Sequence, residues 1–225
     1  MEKNGISIIL ASRERFNHLV DTINLFFEMA NNKNNIEFII RCDNDDHVFL
    51  KKINELPYFE KLKIIIGERY GGYIDLHKFY NEMASISTGK YIVPINDDLI
   101  PLTKGYDEII LSQFTKTPKI FIGNNNYSLD FEGWNFPIID SRIIKELGYI
   151  SRCVFYDGYL YFMLKDSGVY EVLPLNFSHL KINDNITKEK NIVVSEINKN
   201  DIKHLDTFKF YMEEDKIKII NLINK

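Results

Sequence analysis

Short apolar runs alternate with amphipathic segments along the first hundred residues. The apolar runs are rich in branched side chains and predict buried strands, at Ile6–Ala11, Ile36–Ile40, Leu62–Ile66 and Lys90–Ile95. Between them, apolar residues at helical spacing predict helices, at Phe16–Phe27 and Leu76–Ile86. Strands that alternate with helices in this way predict an α/β fold with a mostly parallel sheet and right-handed crossovers.

The second half of the chain is less regular. We expect further strands and helices in this order: Lys119–Ile122, Phe136–Asp140, a helix capped by Ser141 that ends at Leu147, a helix at Asp157–Lys165, and a strand at Tyr170–Leu175. Residues 185–225 are charged and weakly periodic and predict one or two terminal helices. Because no repeat or Gly/Ser/Pro linker divides the chain, we expect one domain, 1–184, with a helical extension, 185–225, packed on it.

Composition narrows the function classes. The 225 residues hold 28 Lys and Arg against 32 Asp and Glu, a formal net charge of −4, which argues against binding nucleic acid through bulk charge. Two cysteines exclude a disulfide framework and a four-cysteine zinc site. No secretory leader is recognisable, and no apolar run approaches the roughly 18 residues of a membrane span. We therefore expect a soluble, cytoplasmic protein.

Polar residues follow three of the predicted strands. Ser12, Asp43 and the segment Asn96–Asp98 each come just after a strand ends. Because ligands of parallel α/β sheets bind at the carboxyl ends of the strands, we expect these groups to converge on one edge. Adjacent carboxylates there suit Mg²⁺ or Mn²⁺, although Asn and Asp are equally typical of plain turns.

Four segments, in order, resemble inverting family 2 glycosyltransferases with the GT-A fold. They are Ile6–Arg15, Ile36–Asn44, Asn81–Asp98, which ends in Asn-Asp-Asp where the family has an Asp-x-Asp motif, and Tyr156–Leu160 with His179 downstream. The resemblance spans roughly residues 6–180. It implies a Rossmann-like, mostly parallel GT-A sheet flanked by helices, with a short C-terminal helical tail.

The resemblance also implies roles for individual residues. Asp98 and His179 correspond to metal ligands, while Asn96 replaces the usual first Asp of the motif and removes one negative charge. Contacts to the nucleotide fall on Ser12, Arg15, Asp43, Arg69, Asn81, Asn96 and Asp97. A carboxylate at position 43 can accept the imide N–H of uracil, which favours a uridine nucleotide; the alternative is a cap within the acidic run Asp43–Asp46.

Asp157 corresponds to the general base, with Tyr156 in place of the family's preceding acid. An N-cap role for Asp157 is compatible with this function, and Asp140 is the next candidate for the base. Trp134, Tyr156 and Tyr159 are candidates for the acceptor pocket, because an aromatic face can stack on a sugar ring.

The hypothesis is a metal-dependent inverting glycosyltransferase that uses Mn²⁺ or Mg²⁺ and a nucleotide diphosphate sugar, most simply a UDP-sugar. The acceptor is a hydroxyl of a glycan, a lipid-linked molecule or a protein. Two alternatives stay open: a catalytically degenerate scaffold that binds nucleotide sugars, and a nucleotidyltransferase on a related fold. For residues 185–225 the open roles are covering the acceptor site, forming a homodimer, and resting weakly on a membrane surface.

Overall fold

The computed structural model describes residues 3–113, 115–124, 136–153, 156–179 and 202–224. Its strands are β1 Lys3–Ser12, β2 Ile36–Asp43, β3 Leu62–Gly67, β4 Gly89–Ile95, β5 Leu99–Pro101, β6 Ile120–Gly123, β7 Ile138–Asp140, β8 Tyr170–Leu173 and β9 Phe177–His179. Its α-helices are α1 Phe16–Met29, α2 His47–Lys52, α3 Leu76–Ser85, α4 Tyr106–Leu111, α5 Ser141–Leu147, α6 Tyr156–Leu164 and α7 Ile202–Ile223. Short 3-10 helices lie at Lys33–Asn35, Ile53–Glu55, Phe59–Lys61 and Gly72–Asp75.

Seven strands form the main sheet in the order β3-β2-β1-β4-β7-β6-β8. The neighbours β3, β2, β1 and β4 are all parallel, whereas β7 runs antiparallel to both β4 and β6. A separate antiparallel pair joins β5 to β9. The mostly parallel sheet predicted from the sequence is confirmed, and its parallel half brings the ends of β1, β2, β3 and β4 to one edge.

Each face of the sheet is covered by its own apolar layer. On one face, Ile8, Phe38 and Val93 of the sheet pack with the buried side of α1, including Phe26 and Phe27. On the other face, Ile9, Ile39 and Ile92 pack against α3, α5 and α6, together with Ile219 of α7. The alternation of apolar side chains along β1 explains both layers, because successive residues of a strand point to opposite faces.

The predicted helix from Ser141 to Leu147 is present, but its cap is Asp140. The Asp140 carboxylate accepts the backbone N–H of Arg142 at 2.9 Å, and Gly148 ends the helix with a φ of 85°. An Asp just before the first turn satisfies an N–H that the helix itself leaves unpaired.

The C-terminal part of the described chain is a single helix, α7, which packs on α5 and α6. Ile219 and Asp215 of α7 are fully buried there. The predicted domain boundary between residues 184 and 185 lies outside the described residues. Among the described residues, no helix combines the length and apolarity that crossing a membrane requires.

Candidate active site

A cleft opens at the carboxyl ends of β1, β2, β3 and β4. Six of the residues predicted to contact the nucleotide line it: Ser12, Arg15, Asp43, Arg69, Asn96 and Asp97. Its other side is an apolar and aromatic wall that includes Tyr73, Leu76, Phe79 and Tyr80. Ser12, Asp43, Asn96 and Asp97 thus converge as expected, whereas Asp98 does not line the cleft. The cleft combines a charged side with a wall on which a planar or sugar ring can rest.

Asp97 points into the protein at the base of the cleft. Its carboxylate accepts the hydroxyl of Ser12 at 2.8 Å and pairs with the guanidinium of Arg15 at 3.1 Å. Its backbone oxygen accepts the Thr22 hydroxyl at 3.0 Å, which ties this strand end to α1. Burial raises the pKa of Asp97, and the charge of Arg15 opposes that rise. Asp97 thus orients Ser12 and Arg15 and has little carboxylate surface left for a metal ion.

Asp43 is held from both sides by arginines. One carboxylate oxygen pairs with Arg41 at 2.8 Å and the other with Arg13 at 3.1 Å. An ionised carboxylate has about four acceptor sites, so these two contacts leave capacity for further donors. The cap of α2 is Asp46, which accepts the N–H of Phe49 at 3.0 Å, so the capping alternative for Asp43 is not what the structure shows.

Arg13 and Arg41 line the same cleft, and the sequence alone did not single them out. Arg41 is only 1% exposed, donates to the backbone oxygens of Cys42 and Glu68, and lies over the ring of Phe79 at 4.3 Å. With Arg15 and Arg69 they make four guanidinium groups around one cleft. Two acidic side chains, Asp43 and Asp97, line it as well. Such a cleft suits an anionic ligand.

Asp98 and His179, 81 residues apart, lie side by side. The antiparallel pairing of β5 with β9 sets Leu99 opposite His179, and the His179 Nδ1 atom lies 3.2 Å from an Asp98 carboxylate oxygen. The His179 ring also packs on Phe136, with 4.9 Å between ring centres. One carboxylate and one imidazole are ligand types that Mn²⁺ accepts, with its remaining positions filled by water and phosphate oxygens. Within the described residues no group of three His, Cys, Asp or Glu side chains could hold a metal ion.

Asp157 lies in the first turn of α6, next to the aromatic wall. Its carboxylate accepts the N–H of Gly158 at 2.8 Å. Burial raises the pKa of Tyr73, and the negative charge of Asp157 raises it further, which places Asp157 close to a residue that lines the cleft. Tyr156, its neighbour, packs on cleft residue Tyr80 with 4.7 Å between ring centres. Asp157 therefore lies close to Tyr73 of the cleft wall, and it is not itself one of the residues that line the cleft.

Four predicted site residues make their contacts inside the fold and not in the cleft: Asn81, Tyr156, Tyr159 and Asp140. The amide of Asn81 accepts the N–H of Ile150 at 2.8 Å and donates to the backbone oxygen of Ser151 at 2.7 Å, and Asn81 does not line the cleft. Tyr156 and Tyr159 are buried, which argues against the acceptor contact predicted for them.

Asp140, the second candidate for a base, is 1% exposed and pairs with Arg142 at 2.7 Å, so it is unsuited to that role. Trp134 lies outside the described residues.

No family model matches the sequence, and no curated protein matches it either. Solved structures do match. The mannosyltransferase PcManGT from Pyrobaculum calidifontis, in complex with GDP-Man and Mn²⁺, aligns with a TM-score of 0.58 at 10% identity, over 76% of this chain and 56% of that one. S. aureus TarS 1–349 in complex with UDP-GlcNAc aligns with a TM-score of 0.56 at 10% identity, over 81% and 60%.

The fold is GT-A-like. One of these structures is a mannosyltransferase and both hold a nucleotide sugar, and the resemblance expected from the sequence is confirmed at the level of fold. The chain spans a little over half the length of these solved structures. At 10–12% identity the GT-A-like fold is what the similarity establishes, and the chemistry must be argued from the cleft.

Proposed function

We propose that this protein is a glycosyltransferase that moves a sugar from a nucleoside diphosphate sugar, with UDP as the carrier, to an acceptor hydroxyl with inversion. The observation that carries the proposal is the cleft itself. Strand-end residues from four separate segments meet there, on a GT-A-like sheet, with Asp157 close to Tyr73 of the cleft wall and the Asp98–His179 pair next to Asp97.

The charged side of the cleft is the proposed donor site. Asp43 is held by Arg41 and Arg13 in a fixed orientation, and its remaining acceptor capacity suits the imide N–H of uracil. Arg15 and Arg69 supply guanidinium groups, which bind phosphate oxygens through paired N–H donors. Ser12 and Asn96 contribute a hydroxyl and an amide oxygen for the ribose. Asn81 supports this site indirectly, by fixing the backbone at Ile150 and Ser151.

Asp98 and His179 are the proposed metal ligands. A divalent cation bound there would neutralise charge that develops on the leaving diphosphate. Asn96 lacks the carboxylate of the usual motif, and Asp97 is turned toward Arg15. The proposed ligands are therefore Asp98 and His179. Phe136 holds the ring of His179 from its other side.

Asp157 is the proposed general base. Its carboxylate takes the proton of the acceptor hydroxyl as that oxygen bonds to the anomeric carbon. The bond from that carbon to the diphosphate oxygen then breaks, and the diphosphate leaves with the electron pair. The backbone N–H of Gly158 donates to the Asp157 carboxylate and helps to orient it.

The test is release of UDP from a panel of UDP-sugars with Mn²⁺, with and without acceptor sugars, and with GDP-sugars as the comparison. Asp98→Ala should remove the metal-dependent part of nucleotide binding. Asp157→Asn should keep donor binding and lose transfer by about 10²–10⁴-fold. Asp166→Asn is the matched control, since Asp166 is an exposed Asp just beyond the same helix. Transfer that survives Asp157→Asn would show that another group is the base.

A binding protein without turnover is the second candidate, and Asn96 is the residue that favours it. It predicts that UDP-sugars bind in calorimetry, while no UDP is released with any divalent metal, even slowly by hydrolysis. Release of UDP that depends on Asp157 would exclude it.

A further inference from the structure

A buried carboxylate lies outside the cleft, on the C-terminal helix. Asp215 of α7 has no exposed surface, and it accepts the hydroxyl of Tyr149 at 2.7 Å and the guanidinium of Arg152 at 2.9 Å through one oxygen. The hydroxyl of Tyr159, on α6, donates to the other oxygen. Lys218, one turn along α7, approaches at 3.4 Å.

Burial of the Asp215 carboxylate is weak evidence for a role in stability, so its role is sought in the geometry of its contacts. Taking an ionised carboxylate out of water costs several kcal/mol, and well-packed apolar residues of similar volume are often at least as stabilising as a buried ion pair. The attested use of such a group is to fix one register between packed elements. Here Asp215 is satisfied by donors from three places at once, α6, the segment 149–153 and α7 itself.

Helix α6, which is bonded to Asp215 through Tyr159, also carries Asp157. Tyr156, Gly158, Tyr159, Leu160, Met163 and Leu164 of α6 are buried, so apolar packing surrounds most of this helix. The apolar driving force is not directional, so a directional hydrogen bond adds to what holds the rotation of this helix. The bond from Tyr159 to Asp215, two residues after Asp157, is directional and fixes that rotation.

The segment between α5 and α6 is held from the opposite side as well. The Asn81 amide, on cleft-lining helix α3, bonds to the backbone of Ile150 and Ser151, while Arg152 reaches Asp215 and pairs with Glu214 of α7 at 2.8 Å. Helix α3 of the cleft wall and helix α7 therefore both bond to the segment that precedes α6.

We infer that Asp215 is a positioning residue for the glycosyl transfer: through Tyr159 it sets the rotation of α6 and so the aim of the Asp157 carboxylate. The inference rests on the proposed function of Asp157. It makes α7 part of the catalytic unit, because a misplacement of about 1 Å can cost about a hundredfold in rate.

Two tyrosines give a paired test, since each donates its hydroxyl to Asp215 from a different element. The Tyr149 hydroxyl also accepts an N–H of Arg152, so Tyr149→Phe removes at least as many hydrogen bonds as Tyr159→Phe. Tyr159→Phe removes the link to α6, and Tyr149→Phe removes the link to the segment before it. We expect Tyr159→Phe to lower kcat by about ten- to a hundredfold with the donor and acceptor KM unchanged, whereas Tyr149→Phe keeps kcat within about twofold. Similar falls in Tm for both variants, with equal kcat values, would overturn the inference.

A second readout does not need activity. Hydrogen exchange of the backbone N–H groups of α6 should be faster in Tyr159→Phe than in Tyr149→Phe. If the intact protein transfers no sugar, the proposed function fails, and this exchange difference alone decides whether Asp215 sets α6. Equal exchange in the two variants counts against the inference. Asp215→Asn, which keeps one acceptor oxygen, should recover part of the kcat that Asp215→Ala loses; equal kcat values in the two would contradict a positioning role.

Discussion

At the scale of single residues, Arg41 is the most unusual side chain of the cleft. It lies two residues before the end of strand β2 and is buried, and its N–H groups donate to Asp43, to the backbone of Cys42 and Glu68, and to Glu82. A planar guanidinium with five fixed donors can brace several groups at once, which lysine cannot do. Arg41 thus holds Asp43 in place and joins β2 to the loop that follows β3.

Gly67→Ala is the sharpest test of this brace. A Cβ at position 67 would lie 2.9 Å from an Arg41 guanidinium nitrogen, so Arg41 must move. We expect a loss of about 1–3 kcal/mol in the free energy of unfolding, measured with urea, and several-fold weaker UDP binding by calorimetry.

Gly168→Ala controls for that prediction. Gly168 has a φ of 70° and no atom within 4 Å of an added Cβ, so the change costs about 1–2 kcal/mol of backbone strain without touching the cleft. UDP affinity should stay at its original value. Equal UDP affinity in both glycine variants would refute the role assigned to Arg41.

Glu37 gives a prediction on pH. Burial alone would raise its pKa, but hydrogen bonds from Lys63, Ser7 and Thr88 outweigh it, and the net shift is downward. A lowered pKa in the folded state means that Glu37 contributes to the free energy of unfolding. This contribution is complete above the unfolded pKa of Glu37, about 4.3, and is lost as the pH falls through the folded pKa.

Glu37→Gln should therefore flatten the fall in unfolding free energy below about pH 4.5, compared with the unmodified protein in parallel urea titrations. Glu60→Gln, which removes an exposed carboxylate, should leave that slope as it was. An unchanged slope in Glu37→Gln would contradict the downward shift.

At the scale of elements, the regular half of the fold could be predicted and the short elements could not. The strands β1 to β4 and the helices α1 and α3 show clear periodicity, and their ends follow the prediction within a few residues. In contrast, β5 has three residues and α4 has six, too few for a period to appear. Nor does an apolar pattern report strand direction, which is why the antiparallel course of β7 was not predicted.

The same limit applies to the candidate site. Convergence of Ser12, Asp43 and Asn96 follows from topology alone, so the sequence sufficed. Burial of Arg41 depends on which partners meet it in space, and arginine is usually exposed. Its signal in the sequence is slight: one charged residue between Ile40 and Cys42, in a stretch from Phe38 to Cys42 that is apolar at every other position.

Helix α4 is held by Asp107, a fully buried carboxylate. It accepts the backbone N–H groups of Asn31 at 2.8 Å and Asn32 at 3.0 Å, and the side-chain amide of Asn35 at 3.0 Å. Asp107→Asn would turn an N–H₂ group toward these donors and leave one of them unpaired. We expect a loss of about 1–3 kcal/mol in urea unfolding.

Glu108→Gln is the matched change for Asp107→Asn. Glu108 accepts the Asn31 side chain at 2.7 Å from an exposed position, so the substitution should stay within about 0.5 kcal/mol. A similar cost for both variants would show that burial of the Asp107 carboxylate adds nothing.

At the scale of the whole molecule, the cleft joins strand ends and loops that are far apart in sequence, so a ligand that fills it stabilises the fold as a unit. A ligand that binds only the folded state adds RT ln(1 + [L]/Kd) to the free energy of unfolding, about 2.7 kcal/mol at a hundred times Kd. For a chain of 225 residues this corresponds to a rise in Tm of roughly 5–10 °C. UDP with Mn²⁺ should therefore raise Tm by that amount in a thermal melt.

The choice of nucleotide and metal makes this melt diagnostic of the site. Because Asp43 is the proposed partner of the uracil imide, UDP should raise Tm more than CDP or GDP at equal concentration, and Asp43→Asn should shrink the difference. Because Asp98 is the proposed metal ligand, Asp98→Ala should keep the metal-free part of the UDP shift and lose the increment that Mn²⁺ adds. Asp166→Asn should behave as the original protein. Equal Tm shifts for all three nucleotides, unaltered in Asp43→Asn, would mean that the arginines bind phosphate and that no side chain recognises the base. The donor would then have to be sought beyond uridine nucleotides.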